Sequence, residues 1–534
     1  MDGEPLAELH VVRTGGSSRL TSRVAAGRHG RDTRLKSKSA VARRRRHECG
    51  RGRGSERARA AQRYRPRVKS LRVAVLGAGP AGLSTALAVA RAGHHVLLVE
   101  RDPIEVTSAD DAFAWPRKGV PHFLQPHAFN PRGRKEMRTH LPDVYAAVLE
   151  AGAEEGDLRP RLPGPSRPGD EDLVYLWVRR PVIEWALRKA VLAQPEIELL
   201  PRTRLVGLLG DSGRIEGART EQGELRADLV VDALGRTSPA PAWLAEIGAS
   251  PPVLEASDCE VLYYTRYYRV RDGETLPDGP WLPTPRGILP YCLFSSFLGD
   301  NRSLGALLAI LPQDNELKIL GHEEVFEATV ANMPSLHSWT SRCEPITGVL
   351  PMGSLQNSFR RYRSGERRGV PGFVPVGDAL CHTNPMFALG LSQSLIHGFA
   401  LATALTDASR LEDVPEAYHA AVEPEAVERF ALATECDQAR GRWWREEPVD
   451  FVHRSGARQL FLLAAGGATG LGDPDIFRAH IRRLGFLDRT SVLDDDEPLQ
   501  RRMETRFTEL RASRPPPLGP PTREELLARL PRAS

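Results

Sequence analysis

The stretch Leu71-Arg72-Val73-Ala74-Val75-Leu76-Gly77-Ala78-Gly79-Pro80-Ala81-Gly82 decides how this chain is read. A short apolar run suited to a buried strand passes into a helix through glycines at G-x-G-x-x-G spacing. Gly77 makes the tight turn, and Gly79 leaves the backbone open to a pyrophosphate where a Cβ would otherwise stand. Gly82 lets the helix lie close to the strand. The helix start at Pro80 and Ala81 then aims its free N–H groups at the phosphates. The helix runs to about Ala92, stops at Gly93 and is followed by a second apolar strand, His95 to Val99. That strand ends in Glu100 and Arg101, with Glu100 18 residues beyond Gly82, where an acid is needed for ribose hydroxyls. The expectation is an α/β, Rossmann-like domain that binds a dinucleotide.

Composition sets the frame around this motif. A hydrophobic fraction of 41% and a charged fraction of 26% are those of a globular protein, and a chain of 534 residues suggests several domains. No apolar run approaches the roughly 18 residues of a membrane span. Charge is unevenly placed. Residues 1–70 hold 20 Lys/Arg against 6 Asp/Glu, while the remainder holds 53 against 62 and is mildly acidic. Residues 1–70, with Arg43-Arg44-Arg45-Arg46, read as a disordered basic leader, a mis-started extension or a transit-like peptide ahead of a domain starting near Leu71. A nucleic-acid arm fits less well, because only Tyr64 interleaves the arginines. The six cysteines are scattered without a C-x-x-C pair, which argues against a disulfide framework or metal site and suits a cytoplasmic location.

Beyond the first βαβ unit, Asp172 to Val178 reads as a strand, and Arg179-Arg180-Pro181 opens a helix with proline well placed near its start. Strand patterns and turns alternate over 197–231 and lead into Asp232-Ala233-Leu234-Gly235-Arg236. Further strands follow at Cys259–Val270, Gly287–Phe297 and Ser303–Leu311. The chain then returns with Phe373-Val374-Pro375-Val376-Gly377-Asp378-Ala379, followed by Asn384-Pro385 and a helix from Gly390-Leu391-Ser392. We therefore expect a discontinuous nucleotide-binding domain at 71–257 and 351–410, with a β-rich domain inserted at 258–350. A helical region fills 411–534. The glycines of Gly466 to Gly472 read as a loop.

The ordered set of Gly77 to Gly82, Arg179-Arg180-Pro181, Asp232 to Arg236 and Val376-Gly377-Asp378-Ala379 resembles the FAD-dependent single-component monooxygenases of the aromatic hydroxylase and epoxidase type. The resemblance covers roughly residues 71–410. It implies FAD held by Gly77, Gly79, Pro80, Ala81, Gly82, Glu100, Arg101, Arg180, Asp378, Pro385, Gly390 and Leu391. Asp378 would take the ribityl chain, Arg180 would stand near the phosphates, and the amides at Gly390 would face the flavin pyrimidine edge. Ala233 departs from the family's Asp-Gly pattern after Asp232. The resemblance also implies NAD(P)H as a transient co-substrate, a flavin C4a-hydroperoxide, and oxygen transfer to an apolar or aromatic small molecule.

Such chemistry is carried by the cofactor, so no catalytic triad is required. His122 and His127 are the catalytic candidates, with a structural loop role as the alternative. On the strand of Tyr263 to Tyr268, one face (Tyr264, Arg266, Tyr268) or the other (Tyr263, Tyr267) would line a pocket over the flavin. Tyr264 and Tyr268 are the substrate-contact candidates. A reductase of the geranylgeranyl-reductase type shares these motifs. A flavin-dependent halogenase fits less well, because Trp177-Val178-Arg179-Arg180 is not its tryptophan signature and Lys118 is the only lysine near the early cofactor region.

Overall fold

Every residue of the strand Arg72–Leu76 after Arg72 is buried, as befits the middle of a parallel sheet covered on both faces. In the computed structural model this sheet runs in the order Phe373–Pro375, Leu229–Asp232, Arg72–Leu76, His95–Val99, Ile197–Leu200, all parallel. The structure describes residues 70–531 except 104–106, 116, 118, 121, 278–285, 364–368, 450–456 and 514–519. The basic leader, apart from Ser70, and Lys118 thus lie outside the described residues.

The helix Pro80–Arg91 is made of small and apolar residues and is buried almost all round. It packs between the sheet and the helices Arg180–Leu192 and Gly390–Asp407. The approach to the latter is close. A Cβ on Gly398 would lie 3.0 Å from the Thr85 backbone, and Ser84 Oγ donates to the Ser394 carbonyl at 3.1 Å.

An antiparallel sheet runs Arg286–Ile288, Leu293–Leu298, Ser303–Ile310, Leu262–Val270, Cys343–Pro345, with Leu350–Met352 also pairing with Leu262–Val270. One face carries Tyr264, Tyr268, Phe294 and Leu308 against the helices Glu323–Ala331 and Pro334–Thr340. The other carries Tyr263, Leu307 and Ala309 against Leu355 and Trp444. The β-rich reading of 258–350 named neither helix, since both are too short to build a strong helical period. A third sheet is formed by Val253–Asp258, Gln356–Arg361 and Cys381–His382.

After 411 the chain forms the long helix Val414–Trp444, then Arg458–Thr469, Pro474–Leu484, Thr490–Asp494 and Glu497–Ser513. The last helix, Arg523–Arg529, carries a capping box of Thr522 and Glu525. It packs onto the inserted sheet through Leu526 and the Arg523–Asp314 pair. The expected loop at Gly466 to Gly472 is corrected. Gly466 and Gly467 belong to the helix ending at Thr469, and a Cβ on Gly466 would lie 2.3 Å from His480 Nδ1. Gly466 thus lets this helix and Pro474–Leu484 pack closely. Among the described residues no helix is long and apolar enough to cross a membrane.

Candidate functional site

The parallel strands end on one cavity of about 650 Å³, where Gly77, Glu100, Ala233 and Val376 follow four strand ends. A crevice outside the carboxyl ends of such a sheet is where ligands bind in open α/β folds. Two helix N-termini, at Pro80 and Gly390, open onto the same cavity, and neither has a side-chain cap. Their free amides are available to anionic groups.

The glycines divide their work as the spacing implies. Gly77 has φ +101°, which favours glycine, and a Cβ there would meet the Ala233 carbonyl oxygen at 2.8 Å. A Cβ on Gly79 would project into open space, whereas one on Gly82 would lie 1.7 Å from the Gly77 carbonyl oxygen. Gly79 therefore keeps the cavity free, and Gly82 keeps the helix on the strand. Gly82 itself does not line the cavity.

Glu100 is buried, and its oxygens accept from Ala78 N at 3.2 Å, Asp102 N at 3.0 Å and Arg117 Nη1 at 2.8 Å. Burial pushes its carboxyl up, but Arg117 and the two amides outweigh this and hold it below its usual range. Arg117 stacks on Trp115 and also reaches Glu184 at 3.4 Å. Glu184 in turn accepts from Arg180 at 2.6 Å. Arg180, Arg117 and Arg101 all line the cavity. Arg179 instead pairs with Asp300 at 2.6 Å. Arg117 escaped the sequence reading because it sits in an irregular proline- and glycine-rich passage without periodicity.

Asp378 lines the far side, with His382 Nδ1 3.1 Å from its Oδ2. Burial raises this carboxyl, yet His382, His122 and Arg180 together hold it at about 2, so it is ionised. Pro385, Ala388, Gly390 and Leu391 complete that wall. Asn384, immediately before Pro385, is fully buried. His122 and His127 also line the cavity, and His127 Nδ1 meets the Gln125 carbonyl at 2.7 Å. Enclosure, reinforced by Arg180, pushes both imidazoles down, His127 to about 3, so both are neutral near pH 7. Pro126, Met352 and Leu355 give this end an apolar lining.

Two expected residues are not there. Tyr264 and Tyr268 face the helix layer, where their hydroxyls donate to the Lys318 carbonyl at 3.0 Å and to Glu327 at 2.5 Å. Strand alternation puts Tyr263 and Tyr267 on the opposite face, and Tyr263 reaches Asn384 of the cavity loop at 2.5 Å. Asp232 is buried and occupied by Ser238 and the Leu234 amide.

The donor set fits a flavin dinucleotide. An open glycine cradle and one helix N-terminus suit a pyrophosphate, Glu100 suits ribose hydroxyls, and Asp378 with the Gly390 helix start suits a ribityl chain and flavin edge.

Comparison with known proteins agrees with this reading. Residues 72–159 match the family model for FAD dependent oxidoreductases. The chain is 27% identical over 380 residues to digeranylgeranylglycerophospholipid reductase 1 of Methanopyrus kandleri, covering 68% of this chain and 88% of that protein. Among solved structures, PqsL, a probable FAD-dependent monooxygenase from Pseudomonas aeruginosa, superposes with a TM-score of 0.52 at 16% identity, covering 71% of this chain and 98% of that one. The flavin-dependent brominase Bmp2 gives 0.56 at 16% identity, covering 83% and 99%. Residues 72–159 thus match the FAD dependent oxidoreductase model, and the fold is one shared by an FAD-dependent monooxygenase and a flavin-dependent brominase.

Proposed function

We propose that the protein is a monooxygenase that uses FAD, NAD(P)H and O2 to hydroxylate or epoxidise an apolar or aromatic small molecule. The observation that carries this reading is the continuity of the cavity. The glycine cradle runs without a break into an end lined by neutral His122 and His127 and by Pro126, Met352 and Leu355. Bound FAD would supply hydride acceptance and oxygen activation, and the protein supplies binding, orientation and a dry site.

Each residue has a task in this reading. Gly77, Gly79, Pro80 and Ala81 would hold the pyrophosphate, Glu100 and Arg101 the adenosine, and Arg180 the charge between the two ends. Asp378, Pro385, Gly390 and Leu391 would orient the flavin. His127, with Nδ1 committed to Gln125, presents Nε2 as a neutral acceptor, and His122 stands beside it with ring centroids 6.0 Å apart. Both would contact substrate or flavin without adding charge.

A reductase is the second reading, favoured by the likeness to the Methanopyrus kandleri reductase. A halogenase has less support. Of the described lysines, Lys135 pairs with Asp172, Lys189 lies over Trp185 and Lys318 bonds Asn315, and none lines the cavity. The test is turnover of a panel of apolar and aromatic compounds with NAD(P)H under isotopically labelled oxygen. One labelled oxygen atom in the product is expected. A saturated product without label would overturn the reading in favour of the reductase, and a halide-dependent product would favour the halogenase.

A further inference from the structure

Asn384 sits in the cavity loop between Thr383 and Pro385, yet its own side chain points away from the cavity into a closed polar network. Its Oδ1 accepts from Tyr263 Oη at 2.5 Å and from Met386 N at 3.2 Å. Its Nδ2 donates to Asp437 Oδ1 at 2.8 Å, and its backbone N–H donates to Asn357 Oδ1 at 2.7 Å. Asn357 Nδ2 in turn donates to Asp437 Oδ2 at 2.8 Å. Arg440 donates to Asp437 Oδ1 at 2.5 Å and also to the Cys259 carbonyl. Asn357, Asn384 and Asp437 are fully buried, and Arg440 and Tyr263 nearly so.

We propose that Asp437, on the helix Val414–Trp444, is a positioning residue for the cavity loop Thr383–Ala388, acting through Asn384 to fix where that loop meets the flavin. The proposal rests on the FAD reading above. Two further observations point the same way. Ala388, at the end of the loop, has φ +54° and ψ +33°, a left-handed conformation unusual for alanine. Its carbonyl accepts from Asn130 Nδ2 at 3.1 Å, so the loop is pinned at both ends. Strained backbone persists only where its surroundings over-determine it, and it collects at functional sites. A buried ionic network is moreover a weak source of stability compared with well-packed apolar residues. Its value here is geometric: it joins the substrate-domain strand, the central third sheet and the C-terminal helix to one cavity loop.

The test compares the wild-type chain with Asp437→Asn, which keeps the shape but replaces one acceptor with a donor, and Tyr263→Phe, which removes one hydroxyl. The readouts are the FAD dissociation constant, the visible flavin spectrum, the flavin reduction potential and hydrogen exchange of residues 383–389 in the flavin-free protein. Asp437→Asn should weaken FAD binding by on the order of tenfold, as losing one charge-assisted hydrogen bond predicts. It should also shift the spectrum and potential and speed exchange in the loop. Tyr263→Phe should act in the same direction with smaller size. A lowered melting temperature with unchanged spectrum, potential and loop exchange would mark the network as merely structural and overturn the proposal. If Asp437→Asn does not fold, Tyr263→Phe decides by the same readouts. Failure of the wild-type chain to bind FAD would instead strike the reading of the cavity, and loop exchange would still judge the network.

Discussion

His397 Nδ1 accepts the backbone N–H of Gly377 at 3.0 Å, directly before Asp378. The accepting nitrogen must be unprotonated, so the ring is neutral with its proton on Nε2. Gly377 has φ +58°, and a Cβ there would meet Ala81 at 2.8 Å, so the turn that presents Asp378 is built against the first helix. One buried imidazole thus helps to set a candidate ribityl contact.

Burial, helped by His419, pushes His397 down to about 3. In the unfolded chain the same group titrates near 6.5, so between those values the unfolded state binds more protons and stability falls as pH falls. From pH 7 to pH 5 this one residue should remove about 2 kcal/mol. Urea unfolding of wild type and His397→Gln at both pH values checks it. The variant should lose correspondingly less, and equal losses would contradict the assignment.

The second and third glycines of the fingerprint should fail in different ways. Gly82→Ala forces a methyl group into a backbone carbonyl and should cost about 3 kcal/mol or more of folding stability. Gly79→Leu projects into the open cavity, so it should fold normally and lose FAD. Melting curves and the yellow colour of the purified variants separate the two outcomes.

Ala388→Gly should raise stability by roughly 0.5–1 kcal/mol, because glycine adopts the left-handed conformation without a Cβ penalty. Thermal unfolding measures this. A fall in stability would mean that the methyl group packs more favourably than its backbone angle costs.

Arg117 is wedged between Glu100 and Glu184 with almost no exposure. Arg117→Met should leave Glu100 buried without its cationic partner, while Glu184 keeps Arg180, and should cost about 3 kcal/mol. Adding Glu100→Gln should recover part of that loss, and additive losses in the double variant would contradict the coupling.

The nucleotide half of the fold was legible because its constraints are local. Gly77 to Gly82 and the strand ending at Glu100 are each dictated by backbone chemistry within a few residues. Asp378 and Gly390 were legible because a strand end and a helix start flank them. Strand alternation predicted two faces for Tyr263 to Tyr268 but could not say which met helices, since that depends on Glu323–Ala331 packing from about 60 residues away. His382, His397 and Asp437 escaped for the same reason. Each acquires its partner through tertiary contact, and no short motif marks it.

Whether this cavity holds FAD is decided by identifying the flavin released on denaturing the purified full chain. One FAD per chain is expected in the wild type and none in Gly79→Leu. Release of FMN, or a Gly79→Leu protein that retains FAD, would contradict the assignment.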